Sequence, residues 1–210
     1  MAAIGPPEPE LTLNAMNPPS AANDVLNFWF GAPTEAGYGS ARDMWFRKSE
    51  ATDRDIAERF ATWIEQALRG ELSAWAAQPH SALAQIVLLD QFTRNTFRDT
   101  SRAFAGDSRA LAAASAMVGL RQDEALLPVQ RSFVYLPFEH SESRVMQDES
   151  VRLFARLVAD APELASTLDY ARQHHAIVAR FGRFPHRNEV LGRLSTAEEL
   201  VFLQQPGSRF

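Results

Sequence analysis

Three stretches of this 210-residue chain gather side chains that could do chemistry together. The first is 88–98. Asp90 and Arg94 follow Leu83, Ile86 and Val87 at helical spacing, so one helix stripe would carry an acid and an arginine among apolar residues. A carboxylate there needs a partner, because a buried unpaired charge costs several kcal/mol or is neutralised by a proton. Arg94 stands one turn later, in the favourable acid-then-base order, and Gln91 with Asn95 forms a second pair beside it. The pair is either a helix-anchoring salt bridge or an acid that orients Arg94 towards a ligand.

The second stretch, 133–147, contains His140-Ser141-Glu142. Pro137, crowded by aromatics, is expected to stop one helix and set the start of the next. His140 then falls at or near a helix start, with Glu142 in the first turn. A His-x-Glu pair can ligate a metal or act as acid and base, although Ser141 and Glu142 serving as helix caps is the plainer account. The third stretch, 181–193, adjoins Arg180 and brings four Arg and His186 into fourteen residues of an acidic protein. Gly182, Pro185 and Gly192 break it into a shaped turn. Guanidinium groups held there by aromatics suit an anion, whereas the plainer reading has them satisfy helix carbonyls and buried acids. Just upstream, His174 shares a helix face with Tyr170 and Phe181 and is a candidate to join His140 or Arg183. His175, on the stripe of Leu168, Ala171 and Val178, is expected to be a core residue.

These residues lead to an Arg- and His-lined pocket for a small anionic ligand, a phosphate or carboxylate. Asp90, Arg94, Asn95, Arg183, His186, Arg187 and Asn188 would bind it, and His140, Glu142 and His174 would be the catalytic groups if the protein is an enzyme. No metal ligand is assigned and no cofactor is indicated. One alternative is a helical scaffold gripping a protein or peptide partner, with the polar motifs as internal struts. Another is a metal-dependent hydrolase using His140, Glu142 and His174. Several chemistries are excluded. The chain has no Cys, so thiolate catalysis and Cys-based metal sites are absent. It carries no Gly-x-Ser-x-Gly elbow, phosphate-binding glycine loop or His-Glu-x-x-His motif.

The elements that must hold these groups read as helices. Hydrophobic residues make up 46% and charged residues 22%, an ordinary globular balance. The Pro-rich segment 1–19 reads as a flexible arm ahead of one domain, 20–210. A first helix after Ser20 is followed by a clear amphipathic helix over 50–69, between Ser49 as N-cap and Gly70 as stop. A helix from Pro79, apolar on nearly all sides, is the expected buried centre of a bundle. Further helices are expected over 107–118, 128–135, 142–158 and 163–181. The last begins at a capping box, Ser195-Thr196-Ala197-Glu198. No run of alternating polarity predicts a strand. A net charge of −5 argues against nucleic acid as partner, although twenty of the twenty-one basic residues are Arg. No apolar run is long enough for a membrane span, and the first seven residues lack the basic and apolar regions of a secretory signal, so cytoplasmic residence is the default expectation.

Specific stretches, taken together, resemble a bacterial family catalogued as domain of unknown function 924, within the tetratricopeptide-like helical superfamily. They are Val25-Leu26 with Phe28-Trp29-Phe30-Gly31, and Leu88-Leu89-Asp90-Gln91-Phe92 with Arg94-Asn95. Next come Ala103-Phe104 with Asp107, and Leu136-Pro137-Phe138 with His140-Ser141-Glu142 and Gln147. The last is His174 with the run from Arg180 to Asn188. Thr93 departs from the family's usual Pro, and Ser143 from its usual acid. The resemblance implies an all-α, single-domain, tetratricopeptide-like array of antiparallel helix pairs, and it implies no activity.

Overall fold

The computed structural model describes residues 20–45 and 47–208; the expected N-terminal arm and Phe46 lie outside that range. The first helix, α1 (Ser20–Phe30), buries Val25, Leu26, Trp29 and Phe30. The second, α2 (Glu50–Arg69), presents Ile56, Phe60, Ile64 and Ala67 to the interior at spacings of three and four. Its ends are those the sequence predicts. The Ser49 hydroxyl accepts from the Thr52 N–H, and Gly70 ends the helix at φ 79°, a conformation that favours glycine.

The central rod begins as α3 (Pro79–Ile86), passes through a π-helical segment (Val87–Phe92) and ends as α4 (Thr93–Thr96). Leu83, Val87, Leu88, Leu89 and Phe92 are wholly buried, in keeping with a helix that is apolar all round. The π segment is not foreseen by periodicity. It adds one residue to each hydrogen-bonded turn, and such insertions recur at functional sites. Here Leu89 sits at the disturbance: its carbonyl accepts from the Thr93 hydroxyl at 2.8 Å. The same carbonyl faces Gly106, where a Cβ would stand only 2.1 Å from the oxygen. Gly106 therefore lets the next helix, α5 (Asp107–Gly119), start against the rod.

Three longer helices follow across short connections: α6 (Pro128–Glu139), α7 (Arg144–Asp160) and α8 (Ala165–Phe181). Each packs on the next. A final helix, α9 (Ala197–Phe202), comes after the turn 182–196. Among the described residues there is no β-strand, and the chain is one all-α domain. No described helix is long and apolar enough to cross a membrane. The main core is aromatic at its centre. Trp29 packs edge-on against Phe92 and Phe133, and Phe60 meets Phe92 with ring centres 5.0 Å apart. A smaller core, Ile177, Val178 and Phe184 with Phe181 and Phe202, lies under α9.

Three local expectations change. Pro137 does not stop α6 but lies within it, and the helix runs on to Glu139. The proline removes one backbone donor, yet the burial of Val134, Tyr135 and Phe138 on both sides outweighs that loss. His140 is consequently the C-terminal cap of α6, its N–H donating to the Leu136 carbonyl, and Glu142 precedes α7 rather than opening it. The capping box of α9 is shifted by one residue: Thr196 accepts from the Glu199 N–H while Glu199 reaches back to the Thr196 N–H. On α8, His174 is the buried histidine, beside Ala171, Ile177 and Val178. His175 points outward to Asp148, 2.7 Å away.

Candidate functional site

The π segment holds Asp90, which has no exposed surface. Its Oδ1 takes a hydrogen bond from His140 Nδ1 at 2.7 Å and lies 3.3 Å from Arg94 Nη1. Gln91 Nε2 donates to the other oxygen at 2.6 Å. Burial opposes the negative charge, but Arg94, His140 and Gln91 outweigh it and hold the carboxyl well below the ordinary carboxylate range. An ionised Asp90 accepts only, so the proton between the two sits on His140 Nδ1. Burial, with Arg94 and Arg187 nearby, pushes the imidazolium of His140 down against the pull of Asp90. The neutral ring then keeps its lone pair on Nε2.

Arg94 also reaches Asp107, the first residue of α5, at 3.0 Å. Asp107 is shared: its other oxygen accepts from Arg187 Nη1 at 3.2 Å. The guanidinium of Arg187 is buried and stacked between Phe184 and Phe104, 4.5 and 4.7 Å from their ring centres. Burial and the neighbouring Arg94 lower its pKa to about 10, so it stays charged at neutral pH. Arg187 Nε and Arg94 Nη2 find no hydrogen-bond acceptor among the described residues.

Behind His140 lie Glu139 and His174, both almost wholly buried. His174 Nδ1 lies 2.9 Å from the Tyr170 carbonyl, an acceptor only, so Nδ1 is the protonated nitrogen. The same nitrogen is 3.2 Å from Glu139 Oε1. Burial and the nearby His140 hold His174 neutral, with a pKa of about 3. Burial, with the negative charge of Asp90 close by, pushes Glu139 up to about 8. Donor atoms of Glu139, His140 and His174 all lie within 4.8 Å of one another.

A cleft of about 320 Å³ opens on this cluster, walled by His140, Arg187, Asp107, Glu142, Phe104 and Leu191 among others. Its floor is held by one acid. Glu142 takes both nitrogens of the Arg193 fork, at 2.7 and 2.9 Å, and accepts from the Phe184 N–H at 2.8 Å. Those donors outweigh the burial of Glu142 and depress its pKa. Glu142 is thereby a brace between the junction of α6 and α7 and the turn bearing Phe184 and Arg187. A second depression, about 390 Å³, lies over Arg180, Arg183, Glu198 and Glu199. There Arg183 is matched to Glu199 and Arg180 to Glu198, so the charges are already balanced.

The structure thus brings together Asp90, Arg94, His140, Glu142, His174 and Arg187. Four other residues stand apart. Asn95 faces α2, donating to Asp53 at 2.8 Å beside Arg98. Arg183 grips Glu199 and the Leu194 carbonyl. Asn188 is buried between Ser195, Glu199 and Arg193. His186 packs its ring against Phe184, 5.7 Å between centres, and does not line the cleft. Sequence reasoning missed Glu139, Asp107 and the bracing role of Arg193. Glu139 stands four residues after the buried Tyr135 and beside His140, a signal hidden by ending the helix at Tyr135. Asp107 reads as an ordinary acid in a first helical turn.

Fold and site together define an all-helical protein whose polar centre combines carboxylates, imidazoles and arginines beneath one small cleft. The sequence profile of the bacterial proteins of unknown function DUF924 matches residues 25–207, and the chain belongs to that family. It is similar to a protein of unknown function from Agrobacterium tumefaciens: the sequences are 37% identical and the TM-score is 0.77. The match covers 88% of this chain and 97% of the other. No curated protein matches the chain.

Proposed function

We propose that the protein binds a small phosphate- or carboxylate-bearing ligand in the cleft between α5, the junction of α6 and α7, and the turn carrying Arg187. The observation that carries this reading is the charge arrangement at Arg187. Two guanidinium groups share Asp107, and Arg187 still has a donor without an acceptor among the described residues. The stacking of Phe104 and Phe184 fixes that fork at the cleft wall, so an entering anion meets a pre-oriented donor. His140 lines the same cleft, and the lone pair that Asp90 leaves on its Nε2 would accept from a hydroxyl of the ligand rather than touch its anionic group. About 320 Å³ suits a metabolite rather than a polymer.

A panel of phosphorylated and carboxylated metabolites, read by thermal unfolding, tests this. At a ligand concentration about a hundred times Kd, binding adds roughly 2.7 kcal/mol to stability, enough to shift the midpoint by several degrees. Arg187→Met puts an adaptable thioether where the guanidinium stacks between the two rings, and should remain folded while losing that shift. A panel that moves nothing would discard the anion reading. The scaffold alternative draws support from the outward-facing Leu194, Leu200 and Val201 near the C-terminal helix. It gains if Arg187→Met chiefly unfolds the protein.

A further inference from the structure

We propose that Glu139, His140 and His174 form a binding site for one divalent transition-metal ion, reached through the cleft wall at His140. The proposal shares only His140 with the anion reading and has a test of its own. Two imidazoles and one carboxylate are a donor set for zinc, iron, manganese or cobalt, whereas calcium and magnesium favour shells made of oxygens. The donor atoms are already gathered within 4.8 Å, although the residues come from two helices and the end of one of them.

Two further observations point to a cation. Glu139 is buried to within 3% of its surface, and its Oε2 has no hydrogen-bond partner among the described residues. An acid placed so deep, with one oxygen unpartnered, gives up its proton and gains a partner for that oxygen when a metal ion binds. The second is the outer support. Asp90 takes the Nδ1 proton of His140, and the Tyr170 carbonyl takes that of His174. Each bond fixes a ring orientation, the carboxylate- or carbonyl-to-histidine support usual at metal sites, and the bond to Asp90 leaves Nε2 as the unprotonated nitrogen of His140. Glu142, the acid that sequence spacing places with the histidines, is occupied by Arg193 and Phe184 and is not a ligand. Three protein ligands leave coordination positions for water or for a ligand entering along the cleft.

The test uses the full-length, untagged protein, stripped with a chelator and dialysed free of phosphate. Zn²⁺ is titrated by calorimetry, and Co²⁺ is followed by its visible absorption bands. One ion per chain is expected, with at least tenfold weaker binding in Glu139→Gln and His174→Ala. Asp90→Asn should weaken binding by about 10- to 100-fold through loss of the outer support, and His175→Ala should leave it unchanged. Binding of less than one ion per chain, or undiminished affinity in Glu139→Gln, overturns the proposal. If a variant fails to fold by circular dichroism, the wild-type Co²⁺ spectrum decides. Nitrogen-ligated bands saturating at one equivalent uphold the site, and their absence overturns it. Because no anion is present, either outcome leaves the anion reading to its own test.

Discussion

Asp90 is the residue on which the polar centre turns. It sits without exposure inside a π turn and ties a guanidinium, an imidazole and an amide to one carboxylate. Removing one member of a buried ionic group strands the others, which typically costs about 3–5 kcal/mol. Asp90→Ala should therefore lower unfolding free energy by that amount in urea denaturation. A loss below about 1 kcal/mol would mean that water or a rearranged Arg94 replaces the carboxylate, and that Asp90 is not the anchor. Arg187 contrasts with it. Its charge is shared with a partly exposed Asp107 rather than locked to a buried acid, so replacing it by an apolar side chain of similar length perturbs the ligand more than the fold.

At the scale of elements, the approach of α5 to the central rod decides where Asp107 lands. That approach depends on Gly106, whose missing side chain makes room for the Leu89 carbonyl. Gly106→Ala would force the helix start away from backbone that cannot rotate aside, pulling Asp107 out of reach of Arg94. A destabilisation of roughly 1–3 kcal/mol or more is expected. An unchanged midpoint in thermal unfolding would show that the helix start is free to shift. The short α9 gives a prediction of a different kind. Glu199 accepts from Arg183, from the Thr196 N–H and from Asn188, and these lower its pKa from an ordinary 4.5 to about 2. Because the folded value is depressed, the contribution is fully present above pH 4.5 and disappears as pH falls towards 2. Glu199→Gln should therefore be less stable than wild type at neutral pH, with the gap closing in acid. A gap independent of pH would assign the effect to packing instead.

The described residues form two unequal cores, with the cleft between parts of both. The larger, around Trp29, Phe92 and Phe133, holds α1 to α7, while the smaller gathers part of α8, Phe184 and α9. Much of what crosses between them at the cleft is polar: Glu142 to Arg193 and the Phe184 N–H, and Arg187 to Asp107. Polar bridges of this kind let the smaller layer open without unfolding the larger one. Glu142→Ala should raise hydrogen exchange across 182–194 by at least tenfold while α1 and α2 keep their protection. Equal loosening of both regions would show that the two cores unfold as one unit.

Sequence alone determined the helices that follow from local geometry. The stripe on α2, its Ser49 and Gly70 ends and the buried central rod are properties of a 3.6-residue repeat and of backbone donors near at hand, and they stand within a few positions of each other in the chain. It also marked Asp90, His140, His174 and Arg187 as unusual by type and setting. Tertiary structure decided which of them meet. Asp90 and His140 lie fifty residues apart, and Arg187 and Asp107 eighty, so no periodicity relates them. The π turn, Pro137 accepted within α6 and the inward turn of His174 rather than His175 are set by packing between elements, which outweighs local preference where burial is complete. Glu139 entered the site for that reason: burial made it unusual, and burial is a property of the fold.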